Sequence, residues 1–136
     1  MRFAAFGTLI PALILFAAAG CGSNTPVPVP VHGKVTVDGT PLKEGQISFI
    51  TPGQVPEVIE IKDGIYDGLA TWGARRVEVG AYRPYNIPPD VPKSMHPLMQ
   101  GGKENYLPEK YNYKSTLAAE VAASGPNEFN FELSSK

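Results

Sequence analysis

The side chains that could carry chemistry are few and lie far apart in the sequence. The chain of 136 residues has one cysteine, Cys21, and two histidines, His32 and His96. His96 has no second histidine, cysteine or carboxylate cluster near it, whereas a catalytic nucleophile needs a base within hydrogen-bond reach. A structural zinc site needs several cysteine or histidine ligands. We therefore predict no catalytic residue, no metal site and no cofactor, and a single cysteine also excludes an intramolecular disulfide.

Aromatic side chains are the better candidates for binding. Trp72 is the only tryptophan, and it either packs in the core or forms an exposed platform on which a sugar ring stacks. Tyr106 and Tyr111 lie in residues 86–114, a proline-rich stretch longer than most loops of compact domains, and long loops are often functional. Their rings either hold this loop in place or form a binding surface. The candidate ligand-binding residues are therefore Trp72, Tyr106 and Tyr111, and the ligand is a carbohydrate or a peptide.

Two adjacent arginines open the longest predicted strand, residues 75–85. Arg75 and Arg76 together suggest an anion site, but a solvated strand end is the interpretation that we favour. The alternation of the strand places Val79 on its inward face and Tyr82 on its outward face.

The charge balance argues against a nucleic-acid partner. The formal net charge is −1 and the isoelectric point is about 6.1, so the chain lacks the basic field that nucleic-acid binding requires. Glycine and proline, 14 of each, exceed their average usage of about 7% and 5%. This composition favours short strands and turns over helices.

The first 20 residues have the three-part form of a secretory signal: a positive start at Arg2, an apolar run over residues 3–19, and small residues before Cys21. The placement of the cysteine directly after Ala18, Ala19 and Gly20 resembles the lipobox of bacterial lipoproteins. That resemblance implies cleavage before Cys21 and attachment of acyl chains, including palmitate, to this residue. An uncleaved membrane anchor and soluble export are the alternatives.

The segment after the cysteine predicts a spacer between membrane and domain. Residues 21–30 combine Gly22 and Ser23 with three prolines, a composition typical of an extended linker. If Cys21 is lipidated, the chain belongs to the bacterial cell envelope as a membrane-anchored lipoprotein. Gly22 is not the aspartate associated with inner-membrane retention in enteric bacteria, which favours the outer membrane.

Residues 31–136 predict one all-β domain, beginning with the stretch from Val31 to Ile50. Val31, Val35 and other apolar residues alternate with polar ones at the period of a half-buried strand. Asp38-Gly39 is a pair that tolerates the positive φ of a hairpin turn. A second turn is predicted at Asp63-Gly64, and Asp67-Gly68 is expected to end the short strand that follows. Counted in this way, the domain has about seven short strands, which suggests a β-sandwich.

The domain resembles a known family at several motifs. Residues 31–39, Pro41-Leu42, residues 45–49, Asp63-Gly64-Ile65-Tyr66 and residues 107–112 look like carboxypeptidase-regulatory-like, transthyretin-like domains. They are similar to the small lipoproteins of planctomycete-type bacteria that carry this domain. The resemblance implies a transthyretin-like (prealbumin-like) β-sandwich after a lipoprotein signal peptide.

The resemblance implies little about activity. The transthyretin fold also hosts hydroxyisourate hydrolase, whose C-terminal Tyr-Arg-Gly-Ser signature is absent here, and His32 and His96 do not match its paired histidines. We therefore expect a non-catalytic, lipid-anchored envelope protein with a structural or interaction role, whose partners are membrane lipid and an unidentified envelope protein or glycan. The alternative is a carbohydrate- or peptide-binding lipoprotein that uses residues 86–114, and a hydrolase is the third class.

Overall fold

A computed structural model of the protein describes residues 26–136. The predictions for the signal peptide, Cys21 and the first part of the linker fall outside these residues. The described chain is built mostly of strands. In order they are β1 (Pro28–Val37), β2 (Thr40–Pro41), β3 (Glu44–Ile50), β4 (Glu57–Lys62), β5 (Ile65–Thr71), β6 (Gly73–Gly80), β7 (Tyr82–Pro84), β8 (Lys103–Asn105), β9 (Leu117–Val121) and β10 (Phe131–Leu133). One short helix, α1 (His96–Met99), and 3₁₀ turns at Lys93–Met95 and Glu109–Tyr111 complete the structure.

Seven of these strands form one curled sheet in the order β10-β1-β5-β4-β3-β6-β9. They correspond to the seven strands predicted from sequence, and the all-β sandwich is confirmed. The three additional strands are only two or three residues long. β2 pairs with the end of β1, and β7 pairs with β8 in a separate ribbon.

The core lies inside the curl, and each of the seven strands contributes two buried hydrophobic residues to it. They are Val31 and Val35, Ile47 and Phe49, Ile59 and Ile61, Tyr66 and Ala70, Val77 and Val79, Ala119 and Val121, and Phe131 and Leu133. The ring of Phe49 lies 6.2 Å from that of Tyr66 and 6.4 Å from that of Phe129, distances typical of packed aromatic pairs. The alternation read from the sequence therefore identified the inward faces correctly.

A close backbone approach fixes the last segment of the chain against β1. A Cβ atom at Gly33 would lie 1.9 Å from the carbonyl oxygen of Phe129. The same oxygen accepts a hydrogen bond of 2.7 Å from the Tyr66 hydroxyl, and the Phe129 N–H donates to His32 O at 3.0 Å. Only glycine fits at position 33, because the Phe129 backbone occupies the space of a side chain.

β1 begins inside the segment predicted as linker. Pro28 and Pro30 pair with Thr71 and Leu69 of β5, although proline has no N–H to donate. His32 lies two residues after Pro30, so its N–H points to the same side of the strand. That N–H donates away from β5, to Asn127 O. The missing N–H groups of Pro28 and Pro30 therefore face the unpaired side of the strand, where proline is tolerated.

The three Asp-Gly turn signals have different outcomes. Asp38 and Gly39 have φ of 50° and 80° and form the predicted turn between β1 and β2. Asp63 and Gly64 have φ of 50° and 77° and form the predicted turn between β4 and β5. The prediction that Asp67-Gly68 ends the next strand was wrong, since β5 continues to Thr71 through seven paired positions with β1. Gly68 lies against the Ile59 side chain, 2.8 Å from where a Cβ would stand, so it serves close packing instead of a turn.

The pairing places the loops at two opposite ends of the sandwich. The proximal end comprises residues 26–30, 50–56, 71–74 and 121–127, because the start of β1 pairs with the end of β5 and the start of β6 with the end of β9. The distal end comprises residues 38–45, 62–65 and 80–106 and the C-terminal tail, 134–136. The described chain enters the domain at the proximal end.

The predicted loop 86–114 divides into two differently structured parts. The arm, residues 82–105, is the β7–β8 ribbon with α1 at its tip, and Arg83 Nε lies 2.6 Å from Glu104 Oε1 across it. After the arm the chain returns to the core, where Leu107 and Ser115 are buried. Asn105 Oδ1 accepts hydrogen bonds from the N–H groups of Ala81 (3.2 Å) and Leu107 (3.1 Å) and so fixes the base of the arm.

Candidate functional site

Trp72 lies at the proximal end, in the tight turn between β5 and β6, with 36% of its surface exposed. It is therefore neither a core residue nor a fully exposed one. Gly73, which follows it, has φ of 115°, a conformation that glycine adopts without strain. The turn presents the indole at the surface of the domain.

The Trp72 turn is held from the inside by Arg75, which is only 8% exposed. Its guanidinium donates to three carbonyl oxygens, those of Thr71 (2.9 Å), Trp72 (2.6 Å) and Ala74 (3.0 Å). The expectation of a solvated strand end was wrong for Arg75. This residue lies on the inward face of the strand, so its side chain reaches under a turn whose carbonyls need donors. Arg76 faces outward and is exposed, with its guanidinium 2.5 Å from Glu78 Oε1.

The turn is held from its other side by Glu57. Its two carboxylate oxygens accept hydrogen bonds from the Thr71 N–H at 3.0 and 2.9 Å, and the Thr71 hydroxyl also donates to Oε1. Charge-assisted hydrogen bonds are stronger than neutral ones. Trp72 is thus carried on a preorganised turn.

Tyr106 and Tyr111 lie at the distal side of the domain, away from Trp72. Tyr106 follows the arm, where its N–H donates to Ala81 O, and the Arg83 guanidinium lies 5.8 Å from its ring centre. Tyr111 is half-buried against the core, and its hydroxyl accepts a hydrogen bond of 2.9 Å from Ser134 N. The structure does not bring the three predicted binding residues together into one site.

A groove of about 540 Å³ lies at the distal end between the arm and the outer face of β3 and β4. Tyr82 and Lys103 form the wall on the arm side, and Tyr82 is about half exposed. The opposite wall consists of residues from β3, β4 and the segments that flank them: Lys43, Glu44, Gly45, Gln46, Glu60, Ile61, Lys62 and Asp63. Sequence reasoning did not select Tyr82 as a binding residue, although its outward parity was the signal that could have found it.

The groove is electrostatically balanced. Its lysines, Lys43, Lys62 and Lys103, face three carboxylates, those of Glu44, Glu60 and Asp63. Lys62 Nζ lies 3.0 Å from Glu60 Oε2, so part of this charge is already paired. A balanced, polar wall with one aromatic ring suits a neutral polar ligand better than a phosphate or a polyanion.

A second cavity of about 400 Å³ lies on the other side of Tyr82, and its lining includes Glu109 and Tyr113. The hydrogen bond from Lys114 holds the pKa of Glu109 below its ordinary value. The hydrogen bond to Glu109 raises the pKa of Tyr113, and the bond from Lys114 to Glu109 raises the pKa of the lysine. These three groups are exposed and stabilise one another as a surface ion-pair network, a common structural arrangement.

The two histidines occupy separate places. His32 is exposed on β1, while His96 lies in the arm with Nε2 3.0 Å from Val91 O. Among residues 26–136, no group of three or more His, Cys, Asp or Glu side chains could hold a metal ion. Within the same residues, the one group with a strongly shifted pKa is Tyr66, whose pKa is raised because its hydroxyl is buried.

Comparison with known proteins assigns no family to the chain. No family model matches the chain, and no curated protein matches it. A solved structure of similar shape is a DUF3823 family protein from Parabacteroides merdae ATCC 43184, with 17% sequence identity and a TM-score of 0.45. The likeness covers 77% of this chain but only 45% of that protein, so the chain spans less than half of its length.

From residue 26 onward, no helix has both the length and the apolar character to cross a bilayer.

Proposed function

We propose that the protein is a lipid-anchored, non-catalytic domain of the bacterial cell envelope that displays its arm and groove away from the membrane. This proposal rests on the end of the domain at which the described chain enters it. β1 begins at the proximal end, whereas the arm and both cavities lie at the distal end. A tether on Cys21 would therefore leave the distal end free to meet an envelope protein or a glycan.

The sequence features supply the remaining support. The small residues before Cys21 resemble a lipobox, and two or more acyl chains give stable membrane attachment. Gly22 favours the outer membrane over the inner one. The motifs at residues 31–49 favour a carboxypeptidase-regulatory-like, transthyretin-like domain, and the β-rich fold is compatible with that assignment.

Membrane partition tests the anchoring. We expect the full chain expressed in a bacterial host to float with membranes on a density gradient and to enter the detergent phase of Triton X-114. Cys21→Ala should remain in the aqueous fraction. Equal partition of the two proteins would contradict anchoring through Cys21.

A second function, binding of a neutral glycan or a polar peptide, is favoured by the groove beside Tyr82. An aromatic ring next to paired carboxylates and lysines can stack on a sugar while the polar groups bind its hydroxyls. A glycan and peptide array should give hits that Tyr82→Ala abolishes and Tyr85→Ala, a change of another exposed arm tyrosine, retains. If Trp72→Ala, Tyr106→Ala or Tyr111→Ala abolished binding instead, the site would be the one predicted from the aromatic residues.

The non-catalytic part of the proposal is tested with a panel of ester, amide and glycoside substrates. We expect no turnover above that of the double variant His32→Ala/His96→Ala, because the chain carries no nucleophile–base pair that the sequence identifies. Turnover that either histidine substitution abolishes would make the protein a hydrolase.

A further inference from the structure

The proximal end carries almost no charge. Its four segments, residues 26–30, 50–56, 71–74 and 121–127, contain no Asp, Glu, Lys, Arg or His. Four ionisable residues flank these segments in the sequence: Glu57 and Arg75 hold the Trp72 turn, whereas Glu120 and Glu128 are exposed on either side of residues 121–127. This end exposes apolar side chains instead: Val55 is 87% exposed and Val27 63%, in addition to Trp72.

The distal end differs in its charge, although it also exposes apolar side chains such as Ile65 and Leu98. Charged side chains lie on its turns, the arm and the C-terminal tail, and they include Asp38, Lys43, Glu44, Lys62, Asp63, Arg83, Lys103, Glu104 and Lys136. Charge is therefore segregated along the long axis of the sandwich. The uncharged end is the one at which the chain from Cys21 arrives.

The length of the tether limits how the domain can sit on a membrane. Seven Cα–Cα steps join Cys21 to Pro28, and they span at most about 25 Å at roughly 3.6 Å per residue. The ten residues of β1 extend the domain about 33 Å away from that point, at about 3.3 Å per residue. The tether is thus too short for the domain to stand on its distal end with Pro28 uppermost.

We propose that the proximal end rests in the headgroup region of the bilayer that holds the anchor, with Trp72 at the membrane–water interface. The proposal rests on lipidation of Cys21 and goes beyond it, because a tether alone would leave the domain free to rotate. Tryptophan is the residue most suited to this position, since its ring is apolar and its indole N–H still reaches water. Val55 and Val27 add apolar surface at the same level without a charge to desolvate.

The rigid turn explains how a single indole can orient the domain. Arg75 and Glu57 fix the backbone on both sides of Trp72, so contact of the ring with lipid constrains the whole sheet. In that orientation the groove beside Tyr82 faces away from the membrane. The orientation therefore serves the display function proposed above.

The test uses residues 21–136, which include the complete described fold, coupled through the Cys21 thiol to a maleimide phospholipid in phosphatidylcholine vesicles. Because Trp72 is the only tryptophan, intrinsic fluorescence reports on this turn alone. We expect the emission to shift to shorter wavelength on the vesicles and to be quenched by lipids brominated near the headgroup. The lipid is attached chemically, so the result does not depend on whether a cell lipidates Cys21.

Two matched controls make the result specific. In Trp72→Phe/Tyr82→Trp the single tryptophan moves to the exposed distal position, where we expect neither shift nor quenching. Val55→Asp should reduce quenching of Trp72, whereas Thr40→Asp, a similar charge at an exposed distal site, should not.

Three outcomes would overturn the proposal. They are an unquenched Trp72 on tethered vesicles, equal quenching of the tryptophan at position 82, and a blue shift of the untethered protein that grows with protein concentration. The last would assign the proximal end to contact with a second copy of the chain. Failure of lipid attachment in cells, measured separately, would reject the anchor and not this orientation.

Discussion

The Arg75 guanidinium donates a hydrogen bond of 2.6 Å from Nη2 to the carbonyl oxygen of Trp72. A buried cation thereby supports the one exposed tryptophan of the domain. The same guanidinium binds the carbonyls of Thr71 and Ala74, so all three of its nitrogens donate to a single turn.

Arg75→Met removes these donors while retaining much of the side-chain volume. We expect the free energy of unfolding to fall by about 2 to 3 kcal/mol, because hydrogen bonds to a charged group are lost and part-buried carbonyls remain without donors. Urea unfolding followed by circular dichroism measures this change. Arg76→Met is the control, and as an exposed ion pair it should cost less than about 1 kcal/mol; equal losses would mean that Arg75 does not support the turn.

Gly33→Ala places a methyl group where the Phe129 carbonyl oxygen lies. The C-terminal segment must move away from β1, which also strains the hydrogen bond from the Tyr66 hydroxyl to that oxygen. We expect the free energy of unfolding, measured with heat or urea, to fall by about 3 kcal/mol, which is at the upper end for overpacking. Lys34→Ala on the exposed face should change stability by about 0.5 kcal/mol or less, and a similarly small effect at Gly33 would contradict the close approach.

Asn105→Ala removes the acceptor shared by the Ala81 and Leu107 N–H groups at the base of the arm. We expect the free energy of unfolding to fall by about 1 to 2 kcal/mol. Hydrogen exchange should become faster than in the parent, and more so for the amides of β7 and β8 than for those of β3. Asn86→Ala, at an exposed position of the arm, should leave both quantities unchanged. Unaltered exchange in the arm of Asn105→Ala would show that another contact holds it.

The C-terminal tail should respond to acid through Asp38. Hydrogen bonds from the Ser135 hydroxyl and from its N–H, at 3.1 Å, hold the pKa of Asp38 below its ordinary value of 3.8. A depressed folded-state pKa contributes stability above the unfolded pKa, and that contribution is lost as the pH falls through the folded value. The difference in urea midpoint between the parent and Asp38→Asn should therefore be present at pH 6 and should shrink below about pH 4.

Asn is a suitable replacement at this position because it tolerates the φ of 50° that Asp38 adopts. Asp67→Asn, at an exposed carboxylate on the outer face of β5, is the control. A difference between the parent and Asp38→Asn that stayed constant from pH 6 to pH 3 would mean that the tail contact does not depend on ionisation.

Strand identity and inward faces were predictable from sequence because both depend on local alternation. Val31, Val35, Ile47 and Phe49 are buried as the period of two requires. What local pattern could not supply was long-range pairing. Asp67-Gly68 has the composition of a turn, but β1 pairs with β5 across it, and this tertiary contact overrides the local preference.

The candidate site was less predictable for the same reason. Trp72, Tyr106 and Tyr111 were chosen by residue type, and only the topology shows that Trp72 lies at the proximal end and the tyrosines at the other side. The role of Arg75 was hidden because a charged residue next to Arg76 suggests solvent, whereas its parity directs it inward. The alternation of the strand, applied to charged residues as strictly as to apolar ones, would have placed Arg75 on the inward face. The outward position that the same alternation gave Tyr82 was the signal for its exposure.

Lipid attachment to Cys21 is the claim on which the account depends most. Metabolic labelling with palmitate, combined with intact-mass analysis of the protein purified after expression of the full chain, measures this attachment directly. We expect labelled protein that begins at Cys21 and carries the mass of its acyl chains, and no label on Cys21→Ala. Equal labelling of both proteins, or an unmodified Cys21 in the mature parent, would contradict it.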